Sequence, residues 1–539
     1  MFTAQKPDPR SKLLIIIGLL LLTTSCTVVG DRIDRAAGGP NVPADTVIIM
    51  SKAPSEPPAE KEPQPQPSGP LRITVVEAIL LTLENNRALL VERLNPSIRQ
   101  TFEDEERAVF DPQTGAEISA GRVEGQRLAR SGSATEAFTT DTYEAGIDLT
   151  QVFPTGTTVS VEGNTLVTDS SLYEERFYTT RLGIGFTQAL LRGFGSAVNL
   201  ANLSQARLDT RLSEYELRGF TQSLVAEVEQ TYWDYALARR EIEIFEESLK
   251  IARRQLSETL ELIEVGRLAE TEKAAVQAEV AAQEQGLINA RSKYETTHLR
   301  LLRLLNPPGK DPWQQKIELI HQPRLPEIKL GEVESYVQVS QRMSPVLNEA
   351  RLRVDRGDLE LVKTKNGLLP VMDLFVTLGK SGYADSFGSS VNDLGQSNYD
   401  AEAGLRFQYP IFNREAEASH RRALLSREQS AGALENLTQL VEVDVRTAFI
   451  EVNRAKQQIA ASSATSRFNA EKLRTENEKF RVGKSTSFLV AQAQRDLLVS
   501  RIDEVRAVAN YLVALVDLYL KDGSLLERRG ISAPGRDPV

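Results

Sequence analysis

The sequence holds one cysteine, Cys26, in 539 residues, so it can form no internal disulfide and no cysteine-built metal centre. Its three histidines, His298, His321 and His420, stand far apart and show no HExxH spacing, which argues against a histidine metal site. Positive charge is not in excess. The 64 Lys and Arg face 74 Asp and Glu, for a net charge of −10, and no basic cluster is interleaved with aromatics. That excludes an ordinary nucleic-acid surface. There is no phosphate-cradling GxxxxGK[ST] loop and no GxSxG elbow. Acidic runs such as Glu103-Asp104-Glu105-Glu106 read as a solvated helix face. With no catalytic constellation and no cofactor site, the chain is not expected to be an enzyme. What it does has to come from its shape.

The apolar run Leu13–Leu22 is too short to cross a bilayer as a helix. Preceded by Lys6, Arg10 and Lys12 and followed by small residues, it reads as an export signal over residues 1–25. It ends in Leu22-Thr23-Thr24-Ser25-Cys26, which resembles a bacterial lipoprotein cleavage box with Thr23 in a usual leucine position. Cys26 is therefore expected to become a lipid-bearing N-terminus. Residues 26–70 are rich in proline and poor in apolar side chains. At roughly 3 Å per residue they form a tether reaching on the order of 100 Å.

The chain beyond the tether is built twice. A long helix from about Val198 breaks at Val265-Gly266-Arg267 and returns to about Leu305; a second runs from about Ala416 through Val482-Gly483-Lys484 to about Leu520. At one fixed offset Val228 meets Val445, Ala238 meets Ala455, Ile242 meets Ile459 and Gln277 meets Gln494, with Tyr232/Phe449 and Glu279/Asp496 as conservative pairs. This is a tandem duplication. The units before the hairpins match too, with Pro112 opposite Pro370 and Gly121 opposite Gly379.

Within each repeat the period changes from helical to alternating. Leu182, Ile184 and Phe186 alternate with Gly183, Gly185 and Thr187, and Ala401, Ala403, Leu405 and Phe407 alternate with Glu402, Gly404, Arg406 and Gln408. Such strands have one apolar and one polar face, as in a barrel that is apolar outside and wet inside. The first repeat carries an extra hairpin over residues 145–163, turning at Pro154-Thr155-Gly156-Thr157; it either adds strands to the barrel or extends the extracellular mouth, and the mouth is the expectation. Thr74 with Glu77 forms a capping box, and Ile79, Leu83, Leu90 and Leu94 share a face of the next helix, which Asn95-Pro96 is expected to kink. The first long helix carries a near-heptad seam from Ile242 to Ile263. The expected plan is a first repeat at 71–305 (strands about 113–188, helical hairpin 198–305) and a joining segment at 306–330 packed outside the helices. A second repeat occupies 331–522 (strands about 371–409, helical hairpin 416–520), then a tail at 523–539 that is expected to be a similar appendage.

The strand-to-helix turns carry the most specific residues. Gln188-Ala189-Leu190-Leu191-Arg192-Gly193 and Gln408-Tyr409-Pro410-Ile411-Phe412-Asn413-Arg414 resemble the Gln-Pro-Leu-(Phe/Leu)-x-Gly signature of the TolC-like outer-membrane efflux protein family. Ala189 replaces the proline in one copy and Arg414 the glycine in the other. The resemblance covers about residues 71–522. It implies a mostly α fold with membrane β-structure: a homotrimer whose strands, at least four per chain and about twelve in all, close one outer-membrane barrel. A long α-helical periplasmic tunnel continues that barrel. It also implies an adaptor (membrane-fusion) protein and an inner-membrane pump or ABC transporter as partners, in an efflux or type I secretion system of a Gram-negative-type bacterium. Drugs, metal ions and polypeptides remain open as cargo. A lipid-anchored coiled-coil scaffold without a pore is the alternative.

The resemblance also assigns sites. The tips Val265-Gly266-Arg267-Leu268 and Val482-Gly483-Lys484-Ser485 would dock the adaptor. In the family, acids after the second tip line a constriction that an arginine helps hold shut. Gapless alignment on Val482-Gly483 puts the acid positions at Leu489 and Gln492 and the arginine at Ser485, and keeps the first-repeat acid as Glu272. Asp496 serves instead if the alignment slips by a turn. A closed state here is expected to rest on packing and hydrogen bonds more than on salt bridges.

Overall fold

The computed structural model describes residues 69–128, 132, 134–309, 311–321 and 328–535. The export signal, Cys26 and nearly all of the tether lie outside the described residues. In chain order the first elements are β1 (Leu71–Ile73), α1 (Val75–Asn85), α2 (Arg87–Glu92), α3 (Leu94–Ala108), β2 (Gln113–Leu128), β3 (Thr135–Phe153), β4 (Thr157–Ser170) and β5 (Phe177–Ala189). Then come α4 (Ser196–Asn199), α5 (Ala201–Glu264), α6 (Glu272–Leu305), β6 (Ile317–Leu319), α7 (Val333–Met343) and α8 (Pro345–Gly367). The last are β7 (Val371–Ala384), α9 (Phe387–Asp393), β8 (Tyr399–Gln408), α10 (Arg414–Arg481), α11 (Ser487–Lys521) and α12 (Leu525–Arg528). They fall into two compact units. One contains Arg99–Asp209 and Val354–Ser430; the other contains Thr210–Arg353 and Ala431–Val539 with the segment that ends at Ile98.

The first unit is built on a six-stranded antiparallel sheet in the order β2-β3-β4-β5-β7-β8. Its register turns the sequence alternation into two faces. Leu149 pairs with Val161, Val161 with Ile184, Ile184 with Leu378 and Leu378 with Ala401, an unbroken apolar row. One residue along, Asp148, Glu162, Gly183, Gly379 and Asp400 form a row of the opposite face. A one-residue slip would exchange the faces, so the register is strongly specified.

The extra hairpin does not extend the extracellular mouth. β3 and β4 are paired along their length from Phe153 opposite Thr157 to Thr140 opposite Ser170. Their turn lies at the strand-to-helix end of the sheet, where the Gly195 amide donates to Thr155 O (3.2 Å) and Asn199 Nδ2 to Pro154 O (2.9 Å). These bonds and the continuous ladder leave no backbone free to project as a loop. The segment between β7 and β8 contains the short helix α9, whose Ser390 hydroxyl meets that of Thr180 at 2.7 Å.

The second unit packs helices from both repeats around one core. Val228 and its equivalent Val445 are both fully buried there, as are Tyr232, Leu301, Leu305 and Leu518. Duplicated apolar positions of both repeats thus belong to one core. Thr74 forms the expected capping box: its hydroxyl accepts from the Glu77 amide (3.2 Å) and its own amide donates to the Glu77 carboxylate (2.7 Å). The capped helix breaks first at Asn86 and again at Arg93, directly ahead of Asn95-Pro96. Asn86 ends α1, and its side chain caps α2 by accepting from the Ala88 and Leu89 amides. The break resets the helical phase, so Leu89 is buried while Leu90 and Leu94 are exposed.

The joining segment supplies β6, which pairs in parallel with β1, Leu71 opposite Ile317. The start of the tail is no appendage. Leu525 and Leu526 are fully buried, Glu527 pairs with the buried Arg218, and Arg529 grips Glu229 at 2.5 and 2.6 Å.

Asp522, at the head of that tail segment, is completely buried. Its Oδ1 accepts from the Ser524 amide (2.8 Å), while Oδ2 has no hydrogen-bond partner and lies 3.9 Å from Arg528. Burial pushes its pKa from 3.8 up to about 6, against the smaller opposing effect of Ser524 and Arg528. A raised acid pKa means the folded state holds the proton more tightly. The stability is full below the unfolded value and is lost as pH rises from about 4 through about 6, on the order of 3 kcal/mol. Asp522→Asn keeps the acceptor and cannot ionise. Thermal midpoints in detergent should show wild type gaining on acidification from pH 7.5 to 5 relative to Asp522→Asn. Parallel curves for the two proteins would contradict this account.

Candidate functional site

Three places carry the chemistry that the fold offers: the sheet, the turns joining it to the long helices, and the helical tips. On the sheet the apolar face is open in the single chain. Ile118 is 88% exposed and Leu405 65%. On β4 the apolar band runs from Val159 to Val167, about nine residues, which is the length a tilted strand needs to cross hydrocarbon. Beyond it Arg122 faces Asp141 (3.8 Å) and Arg176 bonds Asp169 (2.8 Å), so charge closes the band at the loop end. The other face is wet chemistry. Arg181 on β5 is ion-paired to Glu162 on β4 and to Asp400 on β8 (2.8 Å), and Arg406 lies over the Phe375 ring. Charges of this kind cannot face lipid, so the apolar face must. The sheet has two rims: β2 and β8 each have one hydrogen-bonded neighbour.

At the first strand-to-helix turn, Gln188 Nε2 donates to Ala189 O (2.8 Å), the Leu190 amide to Met372 O (2.7 Å) and the Gly193 amide to Asn366 Oδ1 (2.8 Å). Gly193 has φ +86°, which a side chain would resist. At the second turn, after Gln408 and Pro410, Arg414 occupies the glycine position of the signature and already begins α10. The left-handed φ falls instead one residue earlier, on Asn413 (+40°), whose side chain donates to Leu368 O at 3.1 Å. Asparagine tolerates that conformation better than other non-glycine residues. Phe412 is exposed beneath the Arg414 guanidinium.

The two tips have the same backbone. Gly266 (φ +69°) donates to Ile263 O and Arg267 to Leu262 O; Gly483 (φ +72°) donates to Phe480 O and Lys484 to Lys479 O. Both are Schellman closures, with glycine in the left-handed position. They leave Val265 and Val482 each 68% exposed, and Arg267 and Lys484 exposed beside them; Leu268 is half-buried. The second return helix starts with a capped end, the Thr486 hydroxyl accepting from the Leu489 amide, while the first has no side-chain cap.

The gate-region residues are not brought together as a set. Glu272 accepts from the Ser487 amide at 2.9 Å, so an acid of the first repeat sits at the N-terminus of α11, where the helix dipole favours it. The Ser485 hydroxyl donates to Glu476 (2.7 Å), and Asp496 pairs with Lys472 (2.7 Å) inside its own hairpin. Leu489 and Gln492 are exposed. The contact missed by sequence reading is Glu279, which is buried, accepts from Gln283 Nε2 (2.6 Å) and lies 3.4 Å from Arg495 of the other repeat. Its pairing with Asp496 in the duplication was the available signal, but that pairing hid their different partners.

Residues 79–307 and 337–524 match the model of the outer membrane efflux protein family. The chain belongs to that family. Among solved structures it is similar to the Campylobacter jejuni CmeC outer membrane channel, at a TM-score of 0.64 and 14% identity over 84% of this chain and 86% of that one. It is also similar to the Vibrio cholerae outer membrane protein VceC, at 0.60 and 14% over 83% and 96%. The open state of the Neisseria gonorrhoeae MtrE outer membrane channel gives 0.58 and 17% over 84% and 89%. No curated protein sequence matches this chain. At these identities the likeness shows the fold. As an outer membrane efflux protein, the chain is a transport channel of the outer membrane that extends into the periplasm, not an enzyme.

The tip geometry can be tested directly. Gly266→Ala and Gly483→Ala each place a Cβ in the left-handed region, at about 1 kcal/mol. Trypsin cleavage after Arg267 and Lys484 should then accelerate roughly fivefold, because local opening becomes more frequent. Unchanged cleavage rates would show that neither tip depends on its positive φ.

Proposed function

We propose that three copies of this chain, each a tandem of repeats at 71–305 and 331–522, form one outer-membrane conduit. The conduit receives substrate from an inner-membrane pump or ABC transporter through a periplasmic adaptor. The observation that carries the adaptor assignment is the pair of like tips. Each has an exposed valine beside a positive charge, on a backbone closed by the same two hydrogen bonds. A turn alone needs the glycines and explains neither the exposed valine nor the repeated charge. Three copies would present six similar knobs to a partner ring. Arg267 and Lys484 call for acids or carbonyl acceptors on that partner, in an association that weakens with salt.

Two further assignments complete the reading. Cys26 anchors the mature chain through lipid. The closed state is held by helix packing and by bonds such as Glu272 to the start of α11, not by acids at Leu489 and Gln492.

The test of docking uses reporter cysteines placed beside the tips, at the exposed Glu264 and Arg481, for crosslinking to the adaptor in cells, alongside charge reversal at Arg267 and Lys484. Arg267→Glu with Lys484→Glu should abolish most crosslinking and lower export, while Arg267→Lys with Lys484→Arg should retain both. Export and crosslinking that survive the double reversal would remove the charge-dependent docking.

A further inference from the structure

We propose that all six strands of each chain enter the membrane wall, so that the assembled channel closes from eighteen strands and not from about twelve. This rests on the reading of the protein as a trimeric outer-membrane channel.

The hairpin β3–β4 is the element in question, and four observations place it in the wall. First, the hydrogen-bonded ladder passes through it without interruption, from β2 on one side to β5 on the other. Removing it from the wall would require breaking the β2–β3 and β4–β5 ladders and re-pairing β2 with β5. Second, it shares the apolar face in register. Ile147 pairs with Ala116 of β2, and Val161 pairs with Ile184 of β5. A hairpin folded away would carry that apolar surface into water. Third, it shares the polar face. Asp148 and Glu162 lie in the row that ends in Asp400, and Arg181 joins Glu162 to Asp400 across the intervening strands. Fourth, its turn is seated at the helix end of the sheet. Gly156 has φ +82°, and a Cβ there would lie 2.2 Å from Gly193 O, so the turn is in close backbone contact with the strand-to-helix turn.

The rims then determine how copies join. β2 leaves the helix end of the sheet and β8 returns to it, so the two open edges run in opposite senses. β8 of one copy can therefore receive β2 of the next in the antiparallel pairing used throughout the sheet. Six strands per chain also preserve that alternation around a closed ring, as any even number does. Barrel diameter grows about linearly with strand number, so eighteen strands give an opening about 1.5 times as wide as twelve, in the range where barrels hold an open aqueous lumen. The membrane end would then impose little size selection on solutes, and any filtering would be left to the helical end.

The experiment uses the full chain in a Cys26→Ser background, reconstituted in planar bilayers after its oligomeric mass is measured in detergent. Asp148→Cys and Glu162→Cys should react with a charged, water-soluble thiol reagent and change the current, whereas Ile147→Cys and Val161→Cys should not. In parallel, a variant lacking β3 and β4, with Leu128 joined to Phe177 by a short loop, should still assemble as a trimer. The radius of the largest polyethylene glycol that enters from the outer side should fall by about a third in that variant. A conducting trimer in which modification at Asp148→Cys and Glu162→Cys leaves the current unchanged would overturn the eighteen-stranded wall while sparing the channel. So would a conducting deletion trimer with an unaltered polymer limit. If the deletion variant does not fold, the cysteine measurements decide alone. A protein that forms no trimer and carries no current would instead overturn the channel reading itself.

Discussion

A strand at the rim of a sheet in hydrocarbon leaves its outward amide and carbonyl groups without partners, at a cost of several kcal/mol for each group. β2 presents such a rim over 16 residues and β8 over 10. The rest of the membrane unit depends on how that cost is removed. The apolar row through Leu149, Val161, Ile184 and Leu378 needs lipid, and lipid does not tolerate an open sheet. Barrel closure is the arrangement that satisfies both, and one chain with an open meander supplies an arc of it. The assembly is thus a requirement of the backbone before it is a requirement of function. The polar face comes from the same register, since each residue that alternates away from lipid lines the interior.

In the helical unit the two repeats share their tips and core positions, but not the charged contacts beyond the tips. Val228 and Val445 do the same work in the core, and Gly266 and Gly483 make the same turn. The acids beyond the tips do not match in this way. Glu279 is buried against Gln283 and Arg495, while its equivalent Asp496 stays paired to Lys472 within its own hairpin. Glu272 caps the start of α11, and no acid of the second repeat makes the reciprocal contact among the described residues. The duplication therefore preserves packing and lets the charged contacts between hairpins diverge. Divergence of that kind can change how the helices hold a closed state without changing the fold.

The fold was largely legible in the sequence because its strongest signals are periodic. Alternation around Leu182–Thr187 and Ala401–Gln408, the fixed offset from Val228 to Val445 and the paired Val-Gly tips each mark one element. What was missed was set by local or non-local contacts with no period. Asn86 breaks the first helix because its side chain caps the next one, a break the sequence shows less plainly than the one directly ahead of Asn95-Pro96. The hairpin at 145–163 reads as a pair of strands from sequence, but which end of the sheet its turn occupies follows from β2 preceding it in the meander, which brings β3 back to the helix end. The tail at Leu525–Arg529 looks like an appendage until Arg218 and Glu229 are seen to receive it. At the candidate sites the tips were readable because glycine and valine recur there. The cross-repeat contacts of Glu272 and Glu279 were not, since alignment on the duplication pairs each residue with its copy and not with its neighbour in space.

The central claim is that β2 and β8 are unpaired only in the single chain. Amide hydrogen exchange of the detergent-extracted, assembled protein measures this most directly, strand by strand. The account predicts that amides of β2 and β8 exchange as slowly as those of β4 and β5, because every strand has two neighbours. Fast exchange confined to β2 and β8, with β4 and β5 protected, would mean that the sheet stays open, and would contradict it.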